Sequence, residues 1–297
     1  MKTPIFTGAN VAIITPLTET GIDFDRLGNL IEFQIKGGID SITICGTTGE
    51  SSTLSHEEHC QAIEYCMKKV AGRVPVVAGT GSNDTAYALE LSRFAESVGV
   101  DGLLMATPYY NKTTQRGLVA HYTYLADRLN TPIILYNVPS RTGLSFTADT
   151  YFELSKHPMI NGVKEASGNF SLMAETMARC GDNLNMWCGN DDQTVPMLAL
   201  GAKGVISVFA NVLPDVMAKI CKLFFDGKVK ESNELALKYF DLMDRLFIEV
   251  NPVPVKAALK LMGLDSGILR LPLYEISDNN LAILKKSLLD AGVPLAE

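Results

Sequence analysis

Short apolar runs alternate along this chain with longer segments in which apolar residues recur every three or four positions. The first run, "ANVAIIT" (9–15), precedes a helical pattern over 23–36. The second, "SITIC" (41–45), precedes one over 55–70, where Ser55 and Glu58 have the spacing of a capping box. Next come "VPVVAG" (74–79) with a helix over 84–98, "GLLMAT" (102–107) with 114–129, and "PIILYN" (132–137) with 147–156. The last three are "INGVKE" (160–165) with 170–180, "LNMWCG" (184–189) with 191–200, and "KGVIS" (203–207) with 213–226. Strand runs without polar alternation predict a parallel sheet covered by helices. Eight strand–helix units close naturally into a (β/α)8 TIM barrel, an α/β fold. A doubly wound open sheet fits less well, because no G-x-G-x-x-G follows the first strand. Beyond residue 226 the strand patterns stop. Residues 228–249, 254–263 and 277–292 all read as helices. The expected organisation is a catalytic barrel over 1–226 and a C-terminal helical extension over 227–297.

Composition narrows the function without changing the fold. The chain has 297 residues, 47% hydrophobic and 20% charged, enough for a large core. Its net charge is −7, with no basic run and a single tryptophan, Trp187, which argues against a nucleic-acid surface. Anions can still bind through local cations or backbone N–H groups. No segment approaches the roughly 18 apolar residues of a membrane span. The first residues lack the pattern of a signal peptide, so a cytoplasmic protein is expected. Cys45, Cys60, Cys66, Cys180, Cys188 and Cys221 show no C-x-x-C spacing and read as reduced core cysteines.

In a barrel of this kind the chemistry gathers where strands end. Those ends are "TP" (15–16), "GTTGES" (46–51), "GTGSN" (79–83), "TPYYNK" (107–112), "YNVPSRTG" (136–143), "KEASGN" (164–169), "GNDDQ" (189–193) and "SVFAN" (207–211). Lys164 closes an apolar strand. Such a lysine can simply snorkel to the rim. It can also be a Schiff-base nucleophile, since a narrow barrel disfavours the ammonium and an amine attacks a ketone only when neutral. Lys112, in a polar loop, and Lys256, at a helix start after "NPVP", are weaker rivals.

"GTTGE" offers a tight turn or a ligand loop. Gly46 and Gly49 let backbone approach a ligand, and the hydroxyls of Thr47 and Thr48 can bond a carboxylate and pass a proton. The G-K-[ST] ending of a phosphate loop is missing. Tyr109, Tyr110 and Tyr136 are either core aromatics or proton handlers at the rim. Arg141 is a surface ion-pair partner or a planar clamp for a carboxylate. The "HEEH" of His56 and His59 has no third ligand in view and is not H-E-x-x-H, so no metal is expected. Asp191 and Asp192 read as helix-capping residues.

Taken together and in this order, "GTTGE", "YYNK", "YNVPSRTG" and "GVKEASG" resemble the dihydrodipicolinate synthase family. It belongs to the pyruvate-dependent class I aldolases that include N-acetylneuraminate lyase. The resemblance covers nearly the whole chain, from "GANVAIITP" past "NPVPVK". It implies that Lys164 forms an imine with pyruvate and that Thr48 and the nearby backbone hold the pyruvate carboxylate. It implies a proton relay of Tyr136, Thr47 and Tyr110, with Tyr110 reaching in from a neighbouring subunit. Arg141 would bind the carboxylate of aspartate semialdehyde, and Gly189 and Ile206 would line the pocket. The implied product is 4-hydroxy-tetrahydrodipicolinate, on the route to lysine and diaminopimelate, with no cofactor and a homotetramer built as a dimer of dimers. Ser51, His56, His59, Asn83 and Tyr109 match positions of a lysine effector site. Tyr87 stands where lysine-sensitive members carry a glutamate, so weak or absent lysine inhibition is expected. The alternatives are another pyruvate aldolase, such as a keto-sugar acid or sialic acid lyase, and a ligand-binding homologue without catalysis. Arg141 argues against the first and the intact Lys164 set against the second.

Overall fold

The structure is a computed structural model and describes residues 2–296. Eight parallel strands close into a barrel in sequence order. They are β1 (Gly8–Ala12), β2 (Ser41–Ile44), β3 (Val76–Gly79), β4 (Gly102–Ala106), β5 (Ile133–Asn137), β6 (Ile160–Glu165), β7 (Asn185–Cys188) and β8 (Gly204–Ser207). The barrel helices are α1 (Phe24–Lys36), α2 (His56–Val70), α3 (Thr85–Ser97), α4 (Gln115–Ala126), α5 (Pro139–Thr142), α6 (Ala148–Ser155), α7 (Phe170–Cys180), α8 (Thr194–Ala199) and α9 (Pro214–Phe225). Ser55 caps α2 with the reciprocal bonds of a capping box, as its spacing with Glu58 predicts. The four-residue α5 is absent from the pattern-based reading. Pro139 opens it and Gly143, at φ 66°, ends it, so it is turn chemistry too short to show a helical period.

The strands are shorter than their apolar runs. β1 ends at Ala12, while Ile13, Ile14 and Thr15 continue as buried backbone beyond the ladder. Two apolar layers result. Outward-facing side chains such as Val11, Ile42, Val163 and Val205 pack under the helices. A smaller inner layer contains Phe6, Ala12, Val77, Leu104, Ile134, Tyr136, Trp187 and Ile206. This filled interior closes the barrel below the catalytic rim.

The extension contains α10 (Val229–Lys238), α11 (Phe240–Arg245), α12 (Val253–Leu261) and α13 (Asp278–Asp290). The single helical pattern over 228–249 is therefore two helices, broken at Tyr239, where neither glycine nor proline marks the change. Leu242, Leu246, Val255, Leu259, Leu284 and Leu288 join the same buried cluster as the outer barrel layer. No helix among the described residues is long and apolar enough to cross a membrane.

Candidate active site

Lys164 lies near the end of β6, only 5% exposed. Strand register places it level with Tyr136 of β5 on one side and Trp187 of β7 on the other. Its Nζ stands 4.5 Å from the centre of the Tyr136 ring. A Cβ on Gly162 would come within 2.6 Å of the Trp187 ring, so this glycine makes the space that the tryptophan fills. Among the described residues Lys164 has no salt-bridge partner. The neighbouring Glu165 faces the other way, as strand alternation predicts. It accepts from Asn137 Nδ2 at 3.0 Å, Tyr151 OH at 2.9 Å and the Ser167 N–H at 2.8 Å. Its contacts explain why it is a structural carboxylate and not a base for Lys164.

The other two lysines separate cleanly from Lys164. Lys112 is exposed in the β4 loop at φ 50°. Lys256 is fully buried within α12, not at the helix start, and its Nζ lies 2.6 Å from Glu50 Oε1 and 3.1 Å from the Thr15 carbonyl. With its amine engaged by that carboxylate, Lys256 is a poor candidate for the nucleophile.

Glu50 belongs to the loop that follows β2. Left-handed backbone falls on Cys45 (φ 55°) and Glu50 (φ 53°), not on Gly46 or Gly49. Gly49 is needed for closeness instead, since a Cβ there would meet Thr15 and the Cys45 backbone at 3.2–3.3 Å. Thr15 Oγ1 donates to the Gly49 carbonyl at 2.7 Å, and Asn251 Nδ2 donates to Thr48 Oγ1 at 3.0 Å. Among the described residues the N–H groups of Thr47 and Thr48 donate to no backbone acceptor, while those of Gly49 and Glu50 close the turn. Two adjacent free N–H groups make a natural cradle for an anion.

A cavity of about 390 Å³ brings Thr47 together with Tyr136, Arg141, Ser51, His59, Tyr87 and Tyr109. Arg141, on α5, donates from Nη2 to the Asn251 carbonyl at 3.3 Å. Thr48 is buried behind the cavity against Asn251. Tyr110 does not join it within one chain. It is 92% exposed and held at φ 68°. Gly189 donates its N–H to the Glu165 carbonyl, and Ile206 is buried in the inner layer.

Of the residues matched to an effector site, Ser51, His59, Tyr87 and Tyr109 line this cavity itself. His59 Nε2 bonds the Gly79 carbonyl at 2.8 Å, and burial pulls its pKa down. His56 faces the Tyr87 ring at 5.8 Å, and Asn83 Nδ2 donates to the Tyr109 carbonyl. Asp191 overturns the capping expectation. It caps no helix of its own, and its Oδ2 accepts from the N–H groups of Val208 and Phe209 after β8 at 3.1 and 2.8 Å. Burial raises its pKa above the usual carboxylate range.

Sequence patterns missed Asn251, Glu50 and the pairing of Lys256. A lysine inside the apolar run of α12 was the available signal for the last.

The chain matches known proteins over nearly its whole length. The model of the Dihydrodipicolinate synthetase family covers residues 5–291. The 4-hydroxy-tetrahydrodipicolinate synthase of Acetivibrio thermocellus is 52% identical, over 99% of this chain and 100% of its own length. A crystal structure from Acinetobacter baumannii, described as a chloride-inhibited dihydrodipicolinate synthase complexed with pyruvate, superposes with a TM-score of 0.95. It is 40% identical and covers 97% of this chain and 99% of its own. A structure described as the first monomeric dihydrodipicolinate synthase variant reaches 0.96 at 37% identity, with 98% of both chains covered. With the family model matched across the barrel and most of the extension, the chain belongs to the dihydrodipicolinate synthetase family.

Proposed function

We propose that this enzyme condenses pyruvate with aspartate 4-semialdehyde through an imine on Lys164. The observation that carries the assignment of the nucleophile is the contrast between two buried lysines. Lys256 is tied to Glu50, whereas Lys164 faces a tyrosine ring and makes no salt bridge among the described residues. The amine of Lys164 adds to the pyruvate carbonyl carbon, and water leaves. The Thr47 and Thr48 N–H groups and the Thr48 hydroxyl hold the carboxylate. The imine withdraws electrons, a methyl proton departs, and the resulting enamine attacks the aldehyde carbon. The amine of the second substrate then displaces Lys164 and closes the ring of 4-hydroxy-tetrahydrodipicolinate. Each transfer moves a proton, which Tyr136 and Thr47 handle at the cavity wall. Arg141 takes the carboxylate of the semialdehyde. Gly189 and Ile206 complete the pocket.

The relay is completed by Tyr110 from a second copy. Its near-complete exposure in one chain supports this, as a tyrosine at 92% exposure has no catalytic contact of its own. The assembly is a homotetramer, a dimer of dimers. The functional division is a catalytic barrel over 1–226 and an extension over 227–297. The effector site formed by Ser51, His56, His59, Asn83, Tyr87 and Tyr109 binds lysine weakly or not at all. Six free cysteines support a reducing compartment, the cytoplasm.

Borohydride reduction in the presence of pyruvate, followed by peptide mass analysis, tests the reading. The expected adduct is on Lys164. An adduct on Lys256, or none, would overturn it. A panel of aldehydes in the same preparation separates the synthase from a keto-sugar acid lyase.

A further inference from the structure

One residue of the extension makes two different contacts at the rim. Asn251, 5% exposed, lies two residues before α12, ahead of Pro252. Its backbone carbonyl accepts from Arg141 Nη2, and its side-chain Nδ2 donates to Thr48 Oγ1. Asn251 Oδ1 is buried with no hydrogen-bond partner among the described residues. With the amide reversed, Thr48 would donate to Oδ1 and both N–H donors would be left unpaired, against one N–H and the Oδ1 acceptor in the arrangement observed.

We propose that Asn251 is a positioning residue for the pyruvate carboxylate, turning the Thr48 hydroxyl proton into the site. A hydroxyl oxygen that accepts from an amide keeps its single proton for another acceptor. Here the amide occupies the buried side of Thr48 Oγ1. The proton is left to point away from Asn251, toward the loop N–H groups of Thr47 and Thr48. An anion held there gains a third donor that is oriented before it arrives. This rests on the reading that Thr48 holds the pyruvate carboxylate.

The opposite polarity at residue 251 would undo the arrangement. In Asn251→Asp the carboxylate accepts from Thr48, takes its proton out of the site and adds a negative charge behind the anion cradle. The backbone contact to Arg141 remains. The Michaelis constant for pyruvate is expected to rise about tenfold or more, since a donor to a charged group is lost. That for aspartate semialdehyde should change by less than about threefold, because the Arg141 contact is untouched. Asn251→Ala, which removes the donor without adding charge, should raise the pyruvate constant less. In a Thr48→Val background, Asn251→Asp should lose most of its effect, apart from the added charge.

Steady-state kinetics of both variants with both substrates test this, alongside wild-type borohydride labelling. A folded Asn251→Asp enzyme with an unchanged pyruvate constant would overturn the inference. Equal changes in both constants would also overturn it, since they mark general loosening. If Asn251→Asp does not fold, an unchanged pyruvate constant in Asn251→Ala overturns it in the same way. Failure of wild-type Lys164 to label removes the underlying reading of the site instead, so the two failures are distinguishable.

Discussion

The Lys256 ammonium and the Glu50 carboxylate are both fully buried and stand 2.6 Å apart. Glu50 also accepts from the Arg270 backbone N–H at 3.2 Å through its second oxygen. Removing one partner leaves a charge in the interior with nothing to balance it. We predict that Lys256→Met lowers stability by about 3–5 kcal/mol, whereas Lys256→Met with Glu50→Leu recovers much of the loss. Recovery will be incomplete, because the Arg270 N–H is left unpaired. Denaturant unfolding of the three proteins checks this, and a single variant within about 1 kcal/mol of wild type would refute it.

Tyr136 lies in register with Lys164 and forms one wall of the cavity. Tyr136→Phe keeps the ring that packs over the amine and removes only the proton carrier. The expected fall in kcat is about a hundredfold to ten-thousandfold. Pyruvate should still label Lys164, more slowly. A kcat within about fivefold of wild type would exclude Tyr136 from proton transfer.

Arg141 presents a planar fork from a one-turn helix and is anchored by the Asn251 carbonyl. Lysine cannot reproduce both roles, since its point charge lacks the fork geometry. Arg141→Lys should raise the Michaelis constant for aspartate semialdehyde about tenfold and leave that for pyruvate within a few-fold. The reverse pattern would place Arg141 on the other substrate.

The lysine effector prediction turns on Tyr87. It lies beside His56 and offers a phenol where a carboxylate would pair an ammonium. Underpairing that ammonium predicts an inhibition midpoint for lysine above about 1 mM. Titration of the enzyme with lysine at a fixed pyruvate concentration settles the matter. Tyr87→Glu should move the midpoint downward.

His121 carries the pH prediction. Burial holds its pKa at about 4, down from the ordinary 6.5. Its Nδ1 bonds the Thr85 hydroxyl at 2.9 Å and its Nε2 has no partner among the described residues. The unfolded chain therefore binds more protons than the folded one between those two values. The neutral imidazole contributes its full stability above about pH 6.5, and that contribution falls as pH drops toward 4, by at most about 3 kcal/mol. His121→Gln should flatten this part of the stability profile. Identical slopes for the two proteins between pH 7 and 4.5 would rule out a neutral buried His121.

Much of the rim was legible because parallel strands leave simple signals. In an apolar run that needs no polar residue, Lys164 stands out, and strand alternation turns Glu165 away from it. The capping box of α2 was equally local. Contacts made across the chain were not legible. Asn251 meets Thr48 across 203 residues, and Lys256 meets Glu50 across 206. A helical period states which face of α12 is buried, not which loop it meets. Asp191 misled for the same reason. Its place at a helix start suggested capping, and the turn after β8 claims its carboxylate instead.

The separation between Asn251 and Thr48 also sets when the enzyme can exist during its own synthesis. The ribosome releases the residues of β2 long before those of α12, and the loop that cradles an anion lacks its clasp until residue 256 has emerged. A nascent barrel can collapse around its inner layer earlier than that. It cannot yet hold Thr48 and Glu50 in place, so catalytic competence waits for residues 251 to 256 to emerge.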